Sequence, residues 1–320
     1  MTTREKFRGG GTAAGWESAP NLLDGAMNLE LTARDCDLRY WLTAVPQGTL
    51  AGRPDGHDPR LAVPDFMRAP GPLREALAQE YAFRSVAEDK AARALSYVVA
   101  IAPDTPTMEF YATQVLDEAR HAMVFRNHLE PLGYRLPEAI EELAGDDVRA
   151  ILDPLEDFSL KVMRDDADFV GGVVMMTVIL EGALAPAAEL SERKWRPLDP
   201  AAAEIDKGAG IDEIRHLTVG ASIAKEYLAA HPEERERVLE LITRGMHLWT
   251  VLPVQDLVYR RELLFQQGLE EHGDVVGDYE IWPGRRLIDT TPEERQAMAD
   301  RWSVEMKESR LSYIGLEEAL

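Results

Sequence analysis

One cysteine, Cys36, occurs in the 320 residues, and that scarcity removes several classes of protein at once. An internal disulfide, a zinc ribbon and a cysteine-ligated iron–sulfur cluster are excluded, and a lone thiol fits the reducing cytoplasm. Basic residues are also scarce: 35 Lys and Arg against 57 Asp and Glu give a formal net charge of −22. Phosphate contacts need a basic face, so general nucleic-acid binding is set aside. The longest apolar stretch, Phe169 to Leu184, is interrupted by Glu181 and too short for a membrane span. The opening residues, MTTREKFRGGGTAAG, lack the apolar stretch of a secretory signal. Strand-period alternation, fixed-length repeats and a Gly-rich dinucleotide fingerprint are missing as well.

What is present is helical periodicity. Residues 1–70 are rich in Gly and Pro and read as an irregular arm, with a short helix within NLELTARDCDLRYWL. From Pro72 to Ala102 apolar residues recur at helical spacing; the break APDTP follows, and a second helix runs to about Leu132. A short helix is expected over 137–151, then a long one from about Pro154 to Arg193. Asp199–Pro200 supplies an N-cap and a first-turn proline for the next helix, which ends before His231–Pro232. Another helix runs from PEERERVLELI towards Gly268, and a last one begins at PEERQAMADRW. The expectation is an all-α domain over 71–320: a four-helix bundle of two antiparallel hairpins at about 72–230, with extra C-terminal helices over 231–320.

One stretch breaks the apolar pattern. LDEARHAMVF (116–125) places Asp117, Glu118, Arg120 and His121 among residues that read as core, and its charged segment recurs as Asp212-Glu213-Ile214-Arg215-His216. Unpaired buried charge costs several kcal/mol, so these groups must be solvated, paired or bound to something. Glu and His three residues apart project from one side of a helix, where a carboxylate oxygen and a neutral imidazole together suit a divalent metal. Two such pairs facing each other make half of a dinuclear site, whose other half is one Glu from each remaining helix.

Hairpin geometry says where those two should lie. Residues at one height are equally far from the turn, so Glu118, 15 residues after Pro103, faces Glu88, 15 before it. Likewise Glu213, 16 after Pro197, faces Glu181, 16 before it. A single Glu-x-x-His is common on helix surfaces; a doubled motif with two height-matched glutamates is not. Asp117 and Asp212 are placed to reach across to the imidazole of the opposite pair, and Arg120 and Arg215 to neutralise them. Residues one turn from the ligands, Gln114, Phe125, Val174, Thr177 and Val178, are the candidate substrate pocket. His128, two turns past His121, reads as a satisfied histidine.

The doubled D-E-x-R-H resembles that of the ferritin-like diiron carboxylate oxygenases, and is similar to the motif of bacterial multicomponent monooxygenase hydroxylases. Size and organisation resemble stand-alone VlmB-type enzymes of natural-product biosynthesis. The resemblance covers about residues 72–230. It implies Glu88, Glu118 and His121 as ligands of one iron and Glu181, Glu213 and His216 as ligands of the other, with carboxylates bridging. It also implies manganese–iron as a variant of the metal pair, O2 as co-substrate, and a small organic substrate to be hydroxylated, N-oxygenated or desaturated. Electrons would come from a separate reductase or ferredoxin, because the chain carries neither a dinucleotide fingerprint nor cluster cysteines. A cytoplasmic homodimer is expected, with no nucleic-acid or membrane partner.

Three positions depart from related patterns. Phe125 stands where radical-forming ribonucleotide reductase small subunits typically carry a tyrosine seven residues after the first motif Glu. Ala185 replaces the threonine four residues after the third-helix Glu of multicomponent monooxygenases. Ala209 replaces the third histidine of the N-oxygenase branch. Two other readings are a reductase-like radical protein, for which Tyr313 near the terminus would serve a docking tail, and a ferritin-like iron-handling protein.

Overall fold

The computed structural model describes residues 21–46 and 50–319. Within the stretch read as an irregular arm, residues 1–20 and 47–49 lie outside the described part; the remainder is more ordered than expected. Asn21 caps α1 (Leu22–Asn28), Asp37 caps α2 (Leu38–Val45), and α3 (Asp65–Arg68) follows. Leu22, Leu23, Ala26, Trp41 and Val45 enter the main apolar core, so this segment is part of the domain's interior.

The first hairpin matches its expected bounds closely. Helix α4 (Pro72–Ile101) starts at a proline, whose missing N–H costs nothing there, and stops before Pro103. Asp104 then accepts the Thr107 N–H at 2.9 Å to open α5 (Thr105–Asn127), which ends a turn earlier than expected. The Ser85 hydroxyl donates to the Ala122 carbonyl at 2.9 Å, which fixes the two helices at the register that places Glu88 beside Glu118.

The next expectations need correction. The single helix anticipated over 137–151 is two, α6 (Glu138–Leu143) and α7 (Asp146–Leu160). The long helix anticipated to Arg193 is broken. After a π turn at Lys161–Asp165, Ala167 adopts a left-handed backbone (φ 49°), and Asp168 re-caps the chain by accepting the Gly171 N–H. Helix α8 (Phe169–Val174) passes through a second π turn, Met175–Leu180, directly into α9 (Glu181–Trp195). Asp199 caps α10 (Pro200–Ala230) by accepting the Ala202 N–H at 3.1 Å. The Ser191 hydroxyl donates to Asp206 at 2.8 Å and sets the register of this second hairpin.

Pro253 divides the expected C-terminal helix into α11 (Arg235–Val251) and α12 (Val254–Glu271). A short α13 (Gly273–Val276) leads to an antiparallel pair, β1 (Glu280–Trp282) and β2 (Arg285–Arg286), too short for an alternation to be seen in sequence. Helix α14 (Pro292–Ile314), opened by a Thr291–Glu294 capping box, packs on α9 and α10, and α12 packs on α4. The architecture is an all-α bundle. Its one apolar segment long enough to cross a membrane among the described residues, Phe169–Trp195, has 78% of its apolar window buried inside the protein. It is a core helix.

Candidate metal centre

The doubled motif places its side chains in the middle of the bundle. Two groups of potential ligand atoms form there, each with all its atoms within 4.8 Å of one another: Glu88, Glu118, His121 and Glu213, and Glu118, Glu181, Glu213 and His216. Glu118 and Glu213 belong to both. These are the six residues read from the sequence, and their overlap makes two adjacent positions that share two carboxylates. Both imidazoles turn Nδ1 inward: His121 Nδ1 stands 3.1 Å from Glu118 Oε2, and His216 Nδ1 3.1 Å from Glu118 Oε1.

The outward nitrogens meet the aspartates across the bundle. His121 Nε2 lies 3.3 Å from Asp212, and His216 Nε2 lies 3.4 Å from Asp117. Each aspartate pairs with an arginine of the opposite helix, Asp212 with Arg120 and Asp117 with Arg215. The pairing is therefore between hairpins and fixes their register. A donor absent from the sequence reading joins one side only: the Trp41 indole N–H lies 3.2 Å from Asp117. It comes from α2, 76 residues upstream, and no periodicity points to it.

The chemistry of the donor set fits divalent metal. Glu181 Oε2 and Glu213 Oε2 are buried without a hydrogen-bond partner, a costly state unless something electropositive occupies the space between them. Burial, then the repulsion of Glu118, pushes the Glu88 carboxyl well above its usual range; burial, then Glu213, does the same to Glu181. Glu213 is raised by burial and Glu118. Burial would also raise Glu118, but the imidazoles of His216 and His121 outweigh it and hold that carboxyl well below its usual range. For His121, burial favours the neutral ring, but hydrogen bonds to Asp212 and Glu118 raise it to about 10. Protons held by these carboxyls and imidazoles and bound cations are thus alternative ways to balance the same charge. Four ionised glutamates and two divalent ions would cancel, and both Asp–Arg pairs are neutral.

The expected pocket residues are placed differently. Gln114 belongs to the cluster, its Nε2 donating to Glu181 Oε1 at 2.6 Å. Phe125 is fully buried with its ring edge-on to Tyr81 at 5.0 Å. Val174 and Val178 are core. Thr177 presses on Gly220, where a Cβ would lie 1.9 Å from its hydroxyl oxygen. None of the five lines the cavity that reaches the carboxylates. That cavity, of about 570 Å³, opens against Glu88, Glu118, Glu181 and Glu213 and is walled chiefly by apolar side chains such as Phe83, Leu152, Leu155, Met176, Leu180 and Trp249. The π turn before Glu181 explains the miscount: a widened turn rotates Val174, Thr177 and Val178 away from the face that 3.6-residue spacing assigns them. His128 is the satisfied histidine expected, 3.0 Å from Asp199. Tyr313 sits within α14, its ring 3.9 Å from Lys225 Nζ.

No protein-family model matches the chain, and no curated protein matches its sequence.

Proposed function

We propose that this protein is an O2-dependent non-heme diiron oxygenase, located in the cytoplasm, that hydroxylates, N-oxygenates or desaturates a small organic substrate in specialised metabolism. The observation that carries this reading is the overlap of two four-residue ligand groups at Glu118 and Glu213, beside an apolar cavity. Glu88 and His121 would hold one ion, Glu181 and His216 the other, with Glu118 and Glu213 between them. When bound, the metal pair supplies the redox chemistry for using O2, with electrons delivered by a separate reductase or ferredoxin.

The chain's own residues orient and insulate. Asp212 and Asp117 accept the Nε2–H of His121 and His216, which fixes the tautomer that directs Nδ1 inward and raises its basicity. Arg120 and Arg215 supply the counter-charge to those aspartates in a dry interior. The Gln114 amide holds Glu181 in place. The apolar wall excludes water from the reacting end of the cavity. Phe125 offers no hydroxyl at the position where related radical proteins carry one, which favours the oxygenase reading.

The test is anaerobic Fe(II) loading followed by reductant and O2. Wild-type protein is expected to consume O2 with an accompanying optical change, and a Glu118→Ala, Glu213→Ala variant to do neither. Iron binding with no O2-dependent change would remove the oxygenase reading and leave the metal centre.

A further inference from the structure

The cavity beside the carboxylates is also lined by Glu80, Arg84, Lys194, Arg261 and Glu262. These charges are matched to one another with one exception. Glu80 lies 3.3 Å from Arg84 and 3.7 Å from Lys194; Glu262 lies 2.5 Å from Lys194 and 2.6 Å from Arg295. Asp206 stands 3.7 Å from Arg84 and accepts the Ser191 hydroxyl. Arg261, half-buried on α12, makes no ion pair or hydrogen bond with any described residue; its guanidinium sits 5.2 Å from the centre of the Phe83 ring. Among these side chains Arg261 is the one cation with no carboxylate within 4 Å among the described residues. Burial and the like charge of Arg84 lower the proton affinity of Arg261, with Glu80 and Glu262 opposing. A half-buried guanidinium that no carboxylate contacts is free to take one from a ligand in the cavity.

Position adds the second half of the argument. Phe83, beneath Arg261, precedes Glu88 on α4 by five residues, roughly 7.5 Å along the helix. Ala87 and Ala91 line the cavity near Glu88, and small side chains there leave room for a chain to lie along the helix. The volume of about 570 Å³ suits a small organic ligand.

Resting on the oxygenase reading above, we infer that the substrate is a medium-length apolar molecule ending in a carboxylate, which pairs with Arg261 while the apolar body runs past Phe83 and Ala87 towards Glu88. Arginine suits this task because its planar fork meets both carboxylate oxygens. An amine at the same end would meet like charge, and an alcohol would leave the guanidinium without a counter-ion.

Titration calorimetry of the full chain with octanoate, 1-octanol and octylamine tests this without turnover. Wild-type protein is expected to bind octanoate at least tenfold more tightly than either analogue. Arg261→Gln should lose at least tenfold for octanoate while changing 1-octanol by less than about twofold, and Arg261→Lys should fall between. No binding of octanoate, equal binding of octanoate and 1-octanol, or an unchanged Arg261→Gln would each overturn the inference. Metal content measured on the same samples separates the two claims. Carboxylate selectivity in a protein that holds no metal defeats only the diiron reading; metal held without selectivity defeats only this one.

Discussion

Asp117 and His216 come from different helices and meet 3.4 Å apart, with Arg215 and Trp41 completing the surroundings of the same carboxylate. Asp117 therefore ties the His216 imidazole, a buried guanidinium and the N-terminal segment into one unit. Asp117→Asn keeps the shape and removes the charge. Metal affinity is expected to fall by about 10- to 100-fold, because the imidazole loses its acceptor anion. Equilibrium metal titration of the variant checks this.

Trp41→Phe removes only the indole donor. A stability loss of about 1 kcal/mol is expected from denaturant unfolding, with the metal complement retained. A full loss of metal would mean that α2 holds the cluster more directly than the Trp41–Asp117 contact implies.

Gly220 allows α10 to approach the π turn that delivers Glu181. In Gly220→Ala the new methyl meets Thr177, so a loss of about 1–3 kcal/mol is expected. Adding Thr177→Ala should recover part of it. Additive losses in the double variant would show that the two positions do not press on each other.

Asp206 gives a pH dependence outside the cluster. Burial, opposed by Arg84, raises its carboxyl from 3.8 to about 7 in the folded protein. Between about pH 4 and pH 7 the folded state holds a proton that the unfolded state has released. Its contribution to stability is therefore present below pH 4 and lost as pH rises to 7, by a few kcal/mol. Asp206→Asn should lack that slope, so the difference between wild-type and variant unfolding energies should itself change by a few kcal/mol over this range. The metal-binding equilibrium runs the other way. Glu88, Glu181 and Glu213 have raised affinities for protons that metal must displace, so apparent metal affinity should rise with pH.

The six clustered residues were legible because their signal is redundant: a doubled motif, a fixed spacing, and equal counts to each turn. The helix-opening role of Asp199 was legible for a local reason, a capping side chain beside a proline, whereas Asp104 was read only as part of a turn. Trp41 was not, since a contact across 76 residues leaves no mark in local pattern. The cavity walls were misassigned because counting at 3.6 residues fails across a π turn, and α11 and α12, which supply Trp249 and Arg261, carry no motif. The break at Ala167 went unseen because the charged stretch 164–168, which holds no Gly or Pro, reads as helix until its left-handed residue is known.

The central claim is that Glu118 and Glu213 are shared by two metal positions. Metal content after anaerobic loading with Fe(II) and removal of free ion tests it most directly. About two ions per chain are expected for the wild type and essentially none for Glu118→Ala, Glu213→Ala, with a circular-dichroism spectrum confirming that the variant is helical. A folded variant that retains as much iron as the wild type would contradict the account.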